Sequence, residues 1–219
     1  MMEHSSTTDT GITGIPTEVH EGVGGKYLQE AVLHLLQHSE EALWSIGYDE
    51  YSYEPHFRPE DPDGSKISDT GLLLHSLDLL NKPPRHLRYS DVHTIFAGSL
   101  NGWAELVTRE TLDRSKYKFE NTTLVRVLWN YYSRASSGLF HSDLTSKEKG
   151  VGSIVYNLTS TDGGTVIKEE GGEEVFVGGN AGTTILFNGQ SLHRGVGPTL
   201  QPKRYCVNIL FTYDNLQYK

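Results

Sequence analysis

Hydrophobic residues follow different periods in the two halves of the chain. Between residues 25 and 47 they recur every three or four positions, which predicts an amphipathic helix that ends at Gly47. The segment LLLHSLDLL, preceded by Asp69 as a candidate capping residue, predicts a second helix over residues 72–80. Apolar positions along one side predict a third helix over about residues 91–111. The first half is therefore expected to be mainly helical.

After residue 120 the apolar residues form short runs rich in β-branched and aromatic side chains. Gly-Gly, Asp-Gly and Asn-Gly turns separate these runs at short intervals. The pattern predicts a β-sandwich or barrel over about residues 120–213, supported by helices over about residues 25–111. Residues 1–24, rich in Ser, Thr and Gly, are interpreted as a flexible tail, so that residues 25–219 form a single domain. The expected fold class is mainly β with N-terminal helices.

Composition narrows the class of protein. The 219 residues carry a formal net charge of −9, and Lys and Arg are scattered, which argues against nucleic acid as the main partner. No apolar run reaches the roughly 18 residues of a membrane-spanning helix, and the polar start lacks the apolar core of a signal peptide. The single cysteine, Cys206, excludes an internal disulfide. We expect a cytoplasmic protein that binds a small molecule or peptide rather than nucleic acid or membrane.

Four polar residues of the β half form a chemically coherent set. Only two of the ten histidines, His141 and His193, lie in this half. Asp143 follows His141 by two positions, so the two side chains share one face of a strand. Two imidazoles and one carboxylate make the facial triad of non-haem Fe(II) oxygenases, which leaves coordination positions open for a 2-oxo acid and O2. Arg204, eleven residues after His193, suits the far carboxylate of such an acid.

The order of these residues resembles the Fe(II)/2-oxoglutarate-dependent oxygenase superfamily, in particular its prolyl-hydroxylase-like members. The resemblance covers about residues 122–213 and implies a double-stranded β-helix, or jelly-roll, core with Fe(II), 2-oxoglutarate and O2 as cofactors and co-substrates. It also implies that Tyr132, nine residues before His141, contacts the co-substrate. Tyr156, in VYNLTSTDGG, matches a second tyrosine with that role. Cys206 departs from the family pattern, which often has a serine there, and a thiol is a poorer donor.

Other polar residues near these positions are less specific candidates. Arg194 competes with Arg204 as the carboxylate anchor, but strand alternation turns the neighbour of an inward-facing ligand outward. Arg126 and Asn130 share a strand face with Tyr132 and are candidates for the barrel mouth. Asn208, four positions after Arg204, is a candidate for the water network of the metal site.

The acidic, proline-rich segment at residues 48–66 predicts a loop. It is a candidate lid, with Tyr51, Tyr53 or Arg58 meeting the substrate.

The resemblance implies a hydroxylase that acts on a proline-containing peptide, a free amino acid or a related small molecule, with succinate and CO2 as co-products. The sequence does not separate hydroxylation from desaturation or ring closure. Two other interpretations remain open: a cupin-like metalloenzyme, and a non-catalytic jelly-roll binding module. Asp143 in place of a second histidine, together with Arg204, counts against the first. A binding module gives no reason for an arginine shortly after the second barrel histidine.

Overall fold

The computed structural model describes most of the chain. Among the described residues, no helix combines the length and the apolar character needed to cross a membrane. Residues 1–13 and 48–66, which include the first part of the predicted tail and the whole candidate lid, lie outside the described part. The described ranges are 14–37, 45–46, 72–78, 91–143 and 150–219.

The described residues form two helices and twelve strands. The helices are α1 (Lys26–Gln37) and α2 (Asp91–Arg114). The strands are β1 (Glu18–His20), β2 (Ser45–Ile46), β3 (Leu72–Asp78), β4 (Tyr117–Glu120), β5 (Thr123–Ser133), β6 (Gly150–Asn157), β7 (Thr161–Lys168), β8 (Glu174–Gly179), β9 (Thr184–Asn188), β10 (His193–Val196), β11 (Lys203–Tyr213) and β12 (Asn215–Tyr218).

The strands pair antiparallel throughout the described part of the chain. The largest sheet has seven strands in the order β1-β9-β6-β11-β5-β3-β2, and a second sheet has the order β10-β7-β8. The pair β12-β4 forms a small separate sheet. The long strand β11 occupies the middle of the large sheet and pairs with β5 on one side and β6 on the other. Side chains that alternate along β11 therefore reach both faces of the large sheet.

Both faces of the large sheet are buried. On one face an extensive core surrounds Trp129 and packs against Trp103 of α2, with the two rings 5.6 Å apart. On the other face Val155 and Phe187 pack against Ile167 of the three-stranded sheet. This second layer, between two facing antiparallel sheets, is the arrangement that a jelly roll requires. The predicted site residues His141, Asp143, His193 and Arg204 lie in this second layer.

The second predicted helix is wrong. Residues 72–78 form β3, which pairs with β5 from Leu72 opposite Tyr131 to Asp78 opposite Arg126, with one irregularity between His75 and Leu77. A short, nearly continuous apolar run does not distinguish a buried strand from a helix, and here pairing with β5 decides the outcome.

The other predictions for the N-terminal part have mixed outcomes. The third helix is confirmed and extends to Arg114. The first helix is described over Lys26–Gln37 and does not continue to Gly47, because residues 45–46 belong to β2. The flexible-tail prediction is wrong for residues 14–24, because β1 pairs with β9 at the sheet edge and Ile15 and Val23 are buried.

Candidate active site

Backbone pairing brings the two histidines together. His141 forms an isolated bridge with His193, the first residue of β10. The His141 amide donates to the His193 carbonyl at 3.0 Å, and the His193 amide donates to the His141 carbonyl at 2.9 Å. Two residues on, the Asp143 amide donates to the carbonyl of Gly189 at 3.0 Å. This extended pairing places the side chains of His141 and Asp143 on the same face, as their spacing predicts.

The three side chains converge. One ligand atom from each of His141, Asp143 and His193 lies within 4.8 Å of the others. The Nε2 atom of His193 is 3.4 Å from one Asp143 carboxylate oxygen, and the Nε2 atom of His141 is 3.9 Å from the other. His193 and Asp143 are almost fully buried, whereas the His141 side chain is about half exposed. The group is therefore open on the His141 side.

Backbone carbonyls fix the tautomer of both imidazoles. The Nδ1 atom of His141 lies 2.9 Å from the carbonyl oxygen of Leu139, and Nδ1 of His193 lies 3.0 Å from that of Ser191. A carbonyl only accepts, so each Nδ1 carries the proton and each Nε2 keeps its lone pair for a metal. The Nε2 atom of His193 is buried and has no hydrogen-bond partner. A ligand set of two such imidazoles and one carboxylate fits Fe(II) with open coordination positions.

Burial also favours the neutral form of His193. It lowers the pKa of the imidazole and outweighs the opposing effect of Asp143. The ring of Phe187, 4.8 Å away, contributes to this apolar surrounding. A neutral imidazole is the form that coordinates a metal, so the site does not need to release a proton from His193 at neutral pH.

Asp143 is held on both carboxylate oxygens. Arg126 donates to one oxygen at 2.5 Å, while the hydroxyl of Ser153 and the side-chain amide of Asn208 donate to the other at 2.8 and 3.2 Å. Burial alone would raise the pKa of Asp143, but electrostatic interactions with His193, Arg126 and His141 and the bond from Ser153 lower it below its usual value. Asp143 is thus an ionised carboxylate with a fixed orientation.

Arg204 is a fully buried cation on the same face of β11 as Asn208. Its guanidinium donates to the Asn157 side-chain oxygen, to the carbonyls of Gly164 and Val196 and to the hydroxyl of Thr165. All of these acceptors are neutral, and no carboxylate of the described residues pairs with it. A buried charge without a counter-charge is costly, so this position favours a bound anion.

Tyr132 lies beside Arg204 in the structure. The two residues are opposite each other in the β5–β11 register, and the guanidinium carbon lies 5.3 Å from the centre of the phenol ring. The phenol also packs closely on Gly195, where an added Cβ would lie 2.1 Å from the Tyr132 oxygen. Glycine at this position therefore leaves room for the ring.

The polar region between the two sheets that contains the triad, Arg204 and Tyr132 is called the pocket below. Tyr156 does not reach it, which corrects the expected contact with the co-substrate. It is fully buried on the opposite face of β6, edge-on to Trp103 with ring centres 4.8 Å apart. Its hydroxyl donates to the carbonyl of Val23 at 3.0 Å. The next residue, Asn157, faces Arg204 instead.

The pocket also contains three polar residues that were not predicted from the sequence: Ser153, Asn157 and Thr165. Ser153 and Asn157 are four apart on β6, so strand alternation links them once the inward face is known. Arg194, by contrast, lies over the ring of Phe140 at 4.5 Å and not with the triad. This agrees with the alternation argument against it.

Polar atoms without partners are concentrated at this pocket. Seven buried side-chain atoms of the described residues lack a hydrogen-bond partner, and four of them belong to pocket residues. Since buried polar groups are normally paired, these atoms indicate where a ligand would bind. The four are Nε of Arg126, Nε2 of His193, Nδ2 of Asn157 and Oδ1 of Asn208.

Comparisons with known proteins support the fold. No family model and no curated protein matches the sequence. A prolyl-4-hydroxylase structure from Pseudomonas putida matches at 11% identity and a TM-score of 0.51, over 91% of this chain and 92% of that chain. A Trichoplax adhaerens prolyl hydroxylase, in complex with a peptide fragment of the hypoxia inducible factor oxygen degradation domain, matches at 12% and 0.55, over 90% and 83%. A Burkholderia pseudomallei oxidoreductase of the 2OG-Fe(II) oxygenase family matches at 13% and 0.58, over 90% and 84%. The predicted double-stranded β-helix core is therefore confirmed.

Proposed function

We propose that this protein is an Fe(II)- and 2-oxoglutarate-dependent oxygenase, most simply a hydroxylase. The observation that carries the proposal is the convergence of His141, Asp143 and His193 in the same layer between the two sheets as Arg204, a buried cation that has no carboxylate partner among the described residues. Asn208 lies four residues from Arg204 on the same face of β11 and bonds to Asp143, so Arg204 and the carboxylate lie on the same side of the large sheet. The 2-oxo end of a dicarboxylic acid would then face the triad, and its far carboxylate would face Arg204.

Each residue has a separate task in this proposal. His141, Asp143 and His193 would hold Fe(II). When bound, Fe(II) supplies the activation of O2 that couples oxidation of a substrate C–H bond to conversion of 2-oxoglutarate into succinate and CO2. Arg204 pairs with the far carboxylate, and the free Nδ2 of Asn157 adds a donor beside it.

The surrounding residues keep the ligands in position before the reaction begins. Ser153 and Asn208 orient Asp143, and the carbonyls of Leu139 and Ser191 orient the two imidazoles. Such support for the ligands is the usual means of setting their orientation and basicity. The site needs little rearrangement to bind a metal.

The substrate is proposed to be a proline-containing peptide, a free amino acid or a related small molecule. Two of the structures with this fold are named prolyl hydroxylases, and one of them is bound to a peptide fragment. The pocket also favours an enzyme over a non-catalytic binding module, because a binding module does not need two oriented imidazoles next to an ionised carboxylate. The candidate ligand set of two histidines and one aspartate also differs from that of a cupin-like centre, which usually contains more histidines.

Anaerobic calorimetry tests the proposal directly. Mn(II), a redox-inert substitute for Fe(II), should bind the native protein, and 2-oxoglutarate should bind only after the metal is present. With Fe(II) and O2, succinate should form and should increase when a substrate from a panel of amino acids and peptides is added. A native protein that binds neither Mn(II) nor 2-oxoglutarate would contradict the proposal.

A further inference from the structure

Arg126 is the residue of the pocket whose bonding capacity is least used. It lies on β5, and one of its terminal nitrogens donates to Asp143 at 2.5 Å. Its side chain is 28% exposed, whereas that of Asp143 is 1% exposed. The guanidinium therefore extends from the buried carboxylate ligand toward accessible space.

Only one acceptor serves the five N–H groups of Arg126 among the described residues. Its Nε is buried and has no partner. Arg126 is therefore able to bind a second anionic group, whereas support of Asp143 alone uses a single nitrogen.

The charge of the loaded site points to the same group. With neutral histidines, the metal contributes two positive charges and Arg126 and Arg204 contribute one each. Asp143 removes one and a dianionic 2-oxo acid removes two, so one positive charge remains. A carboxylate of the substrate would pair with this local charge, and the guanidinium fork matches the two oxygens of a carboxylate.

We propose that Arg126 binds a carboxylate of the substrate, so that the substrate is a free amino acid, another small organic acid or a peptide with a free C-terminal carboxylate. This inference rests on the proposed function and restricts its substrate class. Because Arg126 touches the ligand Asp143, an acid held there lies next to the metal, on a different residue from the co-substrate anchor Arg204. An internal residue of a long peptide lacks the group that Arg126 would recognise.

A role limited to positioning Asp143 makes a different prediction. Loss of Arg126 would then weaken metal binding and would affect acidic and neutral substrates equally. A carboxylate anchor instead changes the ratio between an acid and its amide. Matched pairs such as L-proline with L-prolinamide, and glycyl-L-proline with its amide, measure this ratio, as do the other free amino acids with their amides.

The test uses the full chain with Mn(II) and 2-oxoglutarate under anaerobic conditions, and calorimetry gives the dissociation constant of each acid and amide. In the native protein at least one acid should bind about 30-fold or more tightly than its amide, the effect of removing one partner of a closed ion pair. Arg126→Gln, measured at saturating Mn(II) and 2-oxoglutarate, should remove that preference whatever it costs in Mn(II) affinity. Arg109→Gln, on the exposed side of α2 with a 70% exposed side chain, is the matched control and should retain the preference. Succinate formation with Fe(II) and O2 should follow the same order.

Four outcomes count against the inference. If every amide binds as well as its acid, or if no acid in the panel binds, the substrate class is wrong. If Arg126→Gln weakens acid, amide and Mn(II) alike, Arg126 only positions Asp143. Absence of 2-oxoglutarate binding in the native protein overturns the proposed function and this inference together, whereas equal acid and amide binding in a protein that binds 2-oxoglutarate overturns this inference alone.

Discussion

Replacement of Arg204 should separate co-substrate binding from metal binding. The guanidinium is fully buried and its present acceptors are all neutral, so the far carboxylate of 2-oxoglutarate would be its counter-charge. Loss of one partner of such a pair costs about 2–5 kcal/mol, and about 1.4 kcal/mol is tenfold in affinity. Arg204→Ala should therefore weaken 2-oxoglutarate binding by about 30-fold or more.

Arg204→Ala also destabilises the fold, so a second variant at this position is needed. Without the guanidinium, the Asn157 side-chain oxygen and the carbonyl of Gly164 lose donors, and a buried unpaired group costs about 1–3 kcal/mol. Arg204→Lys keeps the charge but loses the planar fork and two of the five donors. It should fold more stably than Arg204→Ala and still bind 2-oxoglutarate more weakly than the native protein.

Anaerobic calorimetry of 2-oxoglutarate into Mn(II)-loaded protein measures this effect, with urea unfolding to confirm that each variant is folded. Mn(II) affinity should remain close to native, because Arg204 does not contact the triad in the described structure. Arg194→Ala is the matched control, since Arg194 lies over Phe140. Native-like 2-oxoglutarate affinity in both Arg204 variants, or a larger loss in Arg194→Ala, would refute the assignment of the anchor.

Three further predictions follow from the geometry of the pocket. His141→Ala and His193→Ala should abolish Mn(II) binding in calorimetry while circular dichroism stays native, and unchanged affinity in both would rule out the triad. Because burial lowers the pKa of His193, the unfolded chain takes up this proton at a higher pH than the folded protein. The free energy of unfolding without metal, measured in urea, should therefore fall as pH drops below about 6.5, and should fall less in His193→Gln. Equal slopes of unfolding free energy against pH in the two proteins would contradict a lowered pKa of His193. Gly195→Ala should displace Tyr132 and weaken 2-oxoglutarate binding, whereas Gly178→Ala, whose added Cβ would meet nothing closer than 4.0 Å, should not; equal effects would argue against Tyr132 as a pocket wall.

The sequence predicts the three candidate metal ligands because strand alternation is a strong constraint. His141 and Asp143, two positions apart, had to share a face if the segment was extended, and the structure brings both next to His193. The double-stranded β-helix could be expected for a similar reason, since short β-rich runs between tight turns favour antiparallel pairing. Neither inference depends on the details of packing.

Alternation alone does not say which of two alternating sets points inward, and this explains the error at Tyr156. Nearly every residue of β6 is buried, because the large sheet carries a core on both faces. Hydrophobicity therefore does not distinguish the face of Tyr156 from that of Asn157. The wrong helix at residues 72–80 has a related cause, since pairing with β5 is a long-range contact that a local pattern does not contain.

The reciprocal bonds between His141 and His193 make the geometry of the centre independent of the length of chain that joins its ligands. The two residues are about fifty positions apart, yet each amide is bonded to the other's carbonyl. A slip of one position in β10 would turn the imidazole of His193 to the other face of the strand and break the centre. Insertions in the turns between β6 and β10 leave this pairing in place. Evolution can thus lengthen those turns and reshape the walls of the pocket while the ligands keep their positions.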